Sequence, residues 1–210
     1  SYTYTEPTIY FELAADCARV AASRGLKNVF VSNGYMSREC LQAIFPDLHA
    51  ANVELKSFSD TFYKEQCGAR LGPVLGTLST MKEMGVWLEV TTLLIPGLND
   101  SAEELRDLAG FLSDLDPDIP WHISRFHPTY RLTDRPATPV ETLRRAREIG
   151  LEAGLRYVYT GNVPGEAAES TFCHSCDKLL IERFGFSIRA QAVQNGKCPD
   201  CNETVAGIGM

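Results

Sequence analysis

No apolar stretch in this chain approaches the roughly 20 residues needed to cross a bilayer. Runs such as Thr91-Thr92-Leu93-Leu94-Ile95 stop far short, which excludes a membrane-spanning helix. Positive charge is scarce as well. Twenty Lys and Arg stand against 27 Asp and Glu, a formal charge of -7, so no basic field exists to draw nucleic acid or anionic lipid. Ser1 to Glu12 lack the basic region and apolar run of a secretory signal. Repeats of fixed period, low-complexity tracts, a Ser-His-Asp order and a glycine-rich phosphate loop are also missing. The seven cysteines are odd in number, and four fall in two C-x-x-C pairs. That usage points to a reduced, metal-binding, cytoplasmic chain rather than a disulfide framework.

What the chain does have is the composition of a folded protein. Its 210 residues are 44% hydrophobic and 22% charged, enough for one main core and a small appendage. Short β-branched or aromatic runs alternate with longer amphipathic segments up to about Thr160, the mark of βα units around a parallel sheet. Strands are expected near Ser1–Tyr4, Asn28–Ser32, Ala51–Leu55, Val86–Leu94, Trp121–Phe126 and Arg156–Thr160. A helix over Thr8–Arg24 places Ile9, Leu13, Cys17 and Val20 on one stripe. A second starts at the capping box Ser101/Glu104 and has Leu105, Leu108, Leu112 and Leu115 as its apolar face. A third has Thr138 as cap, Pro139 at its first position and Glu141 closing the box. Further helical segments are expected around Arg38–Phe45 and Leu71–Gly85.

Five to six βα units are too few for a complete eightfold barrel, which takes roughly 200–250 residues. The expected fold is therefore α/β: a partial, open TIM-type barrel over residues 1–165. A Gly/Pro/Ala/Glu-rich joint at Gly161–Ser170 leads into a small C-terminal zinc ribbon over 166–210.

The ribbon rests on Cys173-His174-Ser175-Cys176, 21 intervening residues, and Cys198-Pro199-Asp200-Cys201. Each pair can form a tight knuckle, and the spacer, with Lys178–Phe184 and Phe186–Ile188, supplies strands that bring the knuckles together. Asn195-Gly196 is a turn signal just before the second knuckle. Two disulfides or a redox dithiol are the competing readings. Four thiolates on zinc leave no open position, so the site is structural, and His174 is surplus to it. Cys17, Cys40 and Cys67 read as small buried hydrophobes. Lys178, Arg183, Arg189 and Lys197 make only a modest basic cluster for nucleic acid.

In parallel βα folds, chemistry collects at the C-terminal ends of strands. The polar residues there are Thr5 and Glu6; Ser32 and Asn33; Glu54, Lys56 and Ser57; Thr91 and Thr92; His122, Ser124, Arg125 and His127; and Asn162. Each has a bland alternative: Glu6 at a helix N-terminus, Asn33-Gly34 as a turn, Lys56 as a solvated strand end, His122 as a satisfied interior histidine. Their repetition suggests a polar small molecule at the barrel mouth. Lys56, His122 and His127 are the candidates for catalysis.

These segments closely resemble the radical SAM enzyme of the AmmeMemoRadiSam system, which is similar to the activating enzymes of pyruvate formate-lyase. The resemblance is carried by Tyr4-Thr5-Glu6-Pro7-Thr8, by Asn28 to Tyr35, by Leu55-Lys56-Ser57-Phe58, by Glu89 to Asp100 and by Trp121 to Pro128. It extends through Arg131 to Pro136 and the ribbon. The resemblance implies a 4Fe-4S cluster whose open iron binds S-adenosylmethionine (SAM), with reductive cleavage to a 5'-deoxyadenosyl radical that abstracts hydrogen from substrate. It places Glu6 with Thr5 where the methionine ammonium is received, a charge-assisted bond that suits a carboxylate. Ser32 and Asn33 stand where ribose and carboxylate are met, and Lys56 where the methionine carboxylate or the substrate is reached. Ile95 and Pro96 lie where backbone groups flank the adenine; Thr92 joins the cofactor-binding set, and His122, Ser124, His127 and Asn162 line the cavity. A protein or small-molecule substrate and an electron donor such as flavodoxin or ferredoxin are the implied partners.

Two departures stand out. Glu54 occupies a position where related enzymes have Asp. The C-x-x-x-C-x-x-C triplet that ligates the cluster does not occur in these 210 residues, and iron-sulfur clusters are held by cysteine sulfur. The expectation is the C-terminal two-thirds or so of a radical SAM enzyme, inactive by itself. The alternative is a non-catalytic domain whose ribbon binds protein.

Overall fold

The computed structural model describes every residue except Pro164, Glu166, Phe186, Gly209 and Met210. Phe186, expected in the second spacer strand, and Glu166, where the second domain is expected to begin, lie outside the described residues. The chain forms two compact units, Ser1–Thr92 and Leu93–Met210. Five strands follow one another in one sheet in the order β1-β2-β3-β4-β5, and a separate three-stranded sheet has the order β6-β7-β8.

In the first unit a 3-10 turn, Pro7–Tyr10, runs into α1 (Phe11–Ser23), followed by β1 (Val29–Ser32) and α2 (Arg38–Ile44). Then come β2 (Ala50–Glu54), a short α3 (Asp60–Phe62) continued by a π turn (Tyr63–Cys67), α4 (Leu71–Glu83) and β3 (Trp87–Leu94). The pairs β1–β2 and β2–β3 are parallel, with Phe30 opposite Ala51 and Val53 opposite Val90. All four of these side chains are buried, as are Val74, Leu78 and Met81 of α4. Gly34, just beyond β1, has φ +73°, and a Cβ there would come 2.6 Å from Val53 Cγ1. Only glycine allows both that backbone and that approach.

The second unit contains α5 (Ala102–Leu115), β4 (Trp121–Arg125), α6 (Val140–Glu152) and β5 (Val158–Gly161). β4 and β5 are parallel, Ile123 lying opposite Thr160. α6 sits tightly on this pair because Gly150 has no Cβ: one would fall 2.9 Å from Trp121 Cε3. β6 (Thr171–Phe172), β7 (Leu179–Phe184) and β8 (Ser187–Gln191) pair antiparallel, around a small core of Cys173, Leu180, Ile181, Cys198 and Val205.

Three expectations are corrected. Ser1–Tyr4 is not a full strand: only Tyr2 pairs, in a parallel bridge with Phe30. The stripe points outward: Leu13 and Val20 of α1 are 64% and 53% exposed, and Ile9, which falls in the preceding 3-10 turn, is 80% exposed. Cys17 on the same stripe is exposed too, so it is not a buried hydrophobe. The face turned inward is Ala14 and Ala18, small residues that let the helix lie close. Thr138 does not cap α6, whose N-cap is Pro139. Instead its hydroxyl is fully buried, donating to Leu94 O at 2.6 Å and accepting from Phe126 N at 3.0 Å. Ser101 does cap α5, accepting from Glu104 N, and Leu105, Leu108 and Leu112 are buried beneath it. Among the described residues no helix is long and apolar enough to cross a membrane.

Candidate functional site

In the first unit the polar residues converge on Glu6. Its Oε1 accepts from the Ser32 hydroxyl at 2.7 Å, and its Oε2 accepts from Asn33 N at 2.8 Å. Thr8, unassigned from sequence, adds its amide and hydroxyl to Oε1 at 3.4 and 3.2 Å. The carboxylate thus stands at the C-terminal end of β1, half-buried, with both helix-cap and cross-strand partners. A carboxylate has about four lone-pair sites. Oε2 carries one of the four bonds and keeps capacity for a further donor.

The Asn33 side chain closes its own loop by accepting from Tyr35 N at 2.8 Å, while Gly34 N donates to Ser32 Oγ. Asn33-Gly34 is therefore both a turn and part of the Glu6 cluster. Beside it lies a cavity of about 380 Å³ lined by Thr8, Phe11, Tyr35, Met36, Cys40 and Ala43 among others. Burial first, and the nearby Glu6 charge second, push the Cys40 thiol up. Thr5 is exposed. Lys56 pairs with Glu54, and its amide donates to the Tyr63 hydroxyl at 3.1 Å. Thr92, buried, donates to Leu55 O at 2.9 Å.

In the second unit the loop after β3 is built by residues that sequence reasoning left without a role. Asn99 accepts from Ile95 N at 2.7 Å and donates to Leu93 O at 2.9 Å; Asp100 accepts from Gly97 N; Arg135 donates to Pro96 O. The Ile95 amide and the Pro96 carbonyl, expected to flank the adenine, are thus engaged by Asn99 and Arg135.

On β4, His122 stacks on Tyr159 with centroids 5.2 Å apart and planes at 22°. The Tyr159 and Thr171 hydroxyls lie 2.9 Å apart, and the Arg183 guanidinium sits over the Tyr159 ring. Ser124 comes within 3.3 Å of where a Cβ on Gly161 would be. Asn162, at φ 61°, donates to Arg125 O at 3.2 Å. His127 is exposed beyond the strand. Among the described residues neither His122 nor His127 joins a group of three metal-ligating side chains.

Such a group forms at Cys173, Cys176, Cys198 and Cys201, whose sulfurs all lie within 4.8 Å of one another. Cys173 and Cys201 sulfurs are 3.5 Å apart, and those of Cys176 and Cys198 3.7 Å. A disulfide would need about 2.05 Å, whereas four thiolates at about 2.3 Å around a tetrahedral ion stand close to 3.8 Å apart. The set fits a metal.

The two knuckles are built alike. Asp177 N donates to Cys173 O, Asn202 N to Cys198 O, and Asp177 and Asn202 take φ of 57° and 62°. The backbone then returns: Cys173 N donates to Lys178 O, and Cys198 N to Glu203 O. Asn195 and Gly196 make the expected two-residue turn, with reciprocal bonds between Gln194 and Lys197. His174 is outside the sulfur group, edge-on to Tyr157 and 3.8 Å from Glu203. Three of the four residues of the basic cluster are engaged: Lys178 with Asp200, Arg183 over Tyr159, Arg189 over Phe184.

No protein-family model matches the chain. An uncharacterized protein of Methanocaldococcus jannaschii is 45% identical over 208 residues, 98% of this chain; the chain spans 62% of that relative's length. Among solved structures, a domain of a pyruvate-formate lyase-activating enzyme from Bacteroides vulgatus superimposes with a TM-score of 0.67. It covers 77% of this chain and 97% of that domain at 18% identity. SuiB of Streptococcus suis bound to S-adenosylmethionine gives a TM-score of 0.61 over 75% of this chain and 38% of SuiB, at 15% identity. SuiB has also been solved bound to the precursor peptide SuiA. At these identities the likeness is one of fold, and the fold shared is the α/β fold of radical SAM domains.

Proposed function

We propose that the chain is the C-terminal portion of a radical SAM enzyme of the AmmeMemoRadiSam type, with a catalytic-fold region over 1–165 and a zinc ribbon over 166–210. The observation that carries this reading is the Glu6 carboxylate gathered with Ser32 and Asn33 at the C-terminal end of β1, in a fold shared with radical SAM domains. Glu6 receives the methionine ammonium through the remaining capacity of Oε2, Ser32 and Asn33 hold it in place, and Thr5, Lys56 and Thr92 complete the contacts of the first unit. The resemblance further assigns Ile95, Pro96, Ser124 and Asn162 to the cofactor, and His122 and His127 to the cavity lining. In the parent enzyme, one-electron reduction of bound SAM would give methionine and a 5'-deoxyadenosyl radical, which would abstract hydrogen from a protein or small-molecule substrate; a bound peptide has its parallel in SuiB.

The 4Fe-4S cluster does not fit the residues present. Cys17, Cys40 and Cys67 form no group among the described residues, so no step through the cluster is assigned to this chain, which is inactive by itself. The parent enzyme is cytoplasmic and takes its electron from a flavodoxin or ferredoxin. The ribbon metal is zinc, held by the four cysteines and structural, since no ligand position is left open.

The test is anaerobic iron-sulfur reconstitution of the longest natural chain, with 5'-deoxyadenosine formation from SAM as readout. Product from that chain and none from the 210-residue chain is expected; no product from either ends the catalytic reading. A second reading, a non-catalytic domain with the ribbon as protein-interaction module, is favoured by the cysteine grouping itself, because the ribbon is the one metal-ligating cluster among the described residues.

A further inference from the structure

In the second unit α6, β5 and the first cysteine knuckle line a cavity of about 350 Å³, a size at which proteins hold small molecules. It shares no residue with the proposed SAM site. β5 ends the parallel sheet. Because Trp121 N donates to Tyr157 O, the next residue, Val158, turns its C=O and N–H away from β4. Arg147 of α6 meets that edge, its Nε donating to Val158 O at 3.1 Å.

A guanidinium has five N–H donors. The Arg147 side chain makes no other hydrogen bond and no ion pair among the described residues. It is half-buried, and a partly desolvated charge without a counter-ion is costly, the more telling in a chain of net charge -7. Arg156 lines the same cavity, bound to Asp118 through Nη1 at 3.0 Å and keeping its other N–H groups. Ser170, 8% exposed, accepts from Arg183 N at 3.1 Å, so its own proton remains to be donated. Against these donors the lining has one carboxylate, Asp177. The rest is largely apolar, with Leu151 and Phe172 beside the Tyr157 and Tyr159 rings.

We propose that this cavity binds a small organic anion, its carboxylate or phosphate head held by Arg147 with Arg156 and Ser170, and its apolar body lying against Leu151 and Phe172. The two Nη groups of Arg147 form the planar fork that grips an oxyanion through two oxygens. The site is independent of the assignment of Glu6 to SAM.

Phenylglyoxal, which modifies guanidinium groups, reads the site without mutation. In the longest natural chain, benzoate or phenyl phosphate should slow labelling of Arg147 and Arg156 saturably, as followed by peptide mapping, and leave the exposed Arg145 unaffected. The better protector identifies the head group. Rates moved by neither compound, or slowed equally at Arg145, overturn the proposal. Inorganic phosphate protecting as well as phenyl phosphate overturns it too, since the apolar wall would then contribute nothing. Arg147→Gln should weaken binding of the better compound at least about tenfold, the loss of a charge-assisted hydrogen bond, with Arg145→Gln unchanged. Equal affinity in Arg147→Gln and the natural chain overturns the assignment; if that variant does not fold, the protection pattern of the natural chain decides.

Discussion

Glu6 accepts the backbone N–H of Asn33 at 2.8 Å, a bond between residues 27 positions apart. It makes this carboxylate a clamp on the loop after β1, and the proposed function gives it a second role, receiving a cationic ligand. Glu6→Gln separates the two roles. In the parent protein SAM binding should weaken by roughly 1.5–3 kcal/mol, the size of a lost charge-assisted hydrogen bond, or about ten- to 150-fold in Kd. An unchanged Kd in calorimetry, with lowered stability, would leave Glu6 as a clamp alone.

Gly34 sits where that loop presses on β2. Gly34→Ala should destabilise the chain by roughly 1–3 kcal/mol in urea unfolding, from a left-handed φ and overpacking against Val53. Adding Val53→Ala should recover the steric part relative to Val53→Ala alone. Additive losses from the two changes would show that the close approach is relaxed in solution.

For the ribbon, Cys198→Ser should release one equivalent of zinc and unfold the segment around β6 to β8, leaving the parallel sheet intact, because structural metal supplies the folding energy of so small a core. Metal analysis together with hydrogen exchange reads both. Stoichiometric zinc retained in the variant would mean that Cys198 is not a ligand.

Tyr63 gives a pH dependence. Burial pushes its phenol up from 10.0 to about 12, partly offset by the hydrogen bond from Lys56 N. The folded state holds the proton more tightly than the unfolded chain. This contribution is therefore fully present below pH 10 and is lost as pH rises towards about 12, of order 2 kcal/mol in all. Tyr63→Phe should flatten that part of the alkaline stability curve. A curve of unchanged slope would show that another group titrates there.

Much of the architecture can be read residue by residue. The two C-x-x-C pairs, the Asn195-Gly196 turn and the Ser101 cap act over a few positions, and each has its expected geometry. Strands β1 to β5 declared themselves by β-branched runs, since alternation and chain direction are local properties. The Glu6 cluster is half legible: Glu6, Ser32 and Asn33 stand out at strand ends and in the resemblance, while Thr8 carries no signal because its partner is the Glu6 carboxylate. Asn99 and Arg135, which hold the loop after β3, carry none because their partners are backbone groups.

Periodicity shows that α1 is amphipathic, but it cannot say which flank meets a neighbour; Ala14 and Ala18 took the inner face because small side chains allow close contact. Nor could spacing foretell that Thr138 would leave a cap position to bond Leu94 and Phe126. Local hydrogen-bond competition favours the cap, and the opposite outcome arises because Leu94 O and Phe126 N bring buried backbone polar groups to that hydroxyl. Covalent neighbours govern propensity and turns, whereas the choice among rival partners waits on chain segments tens of residues away.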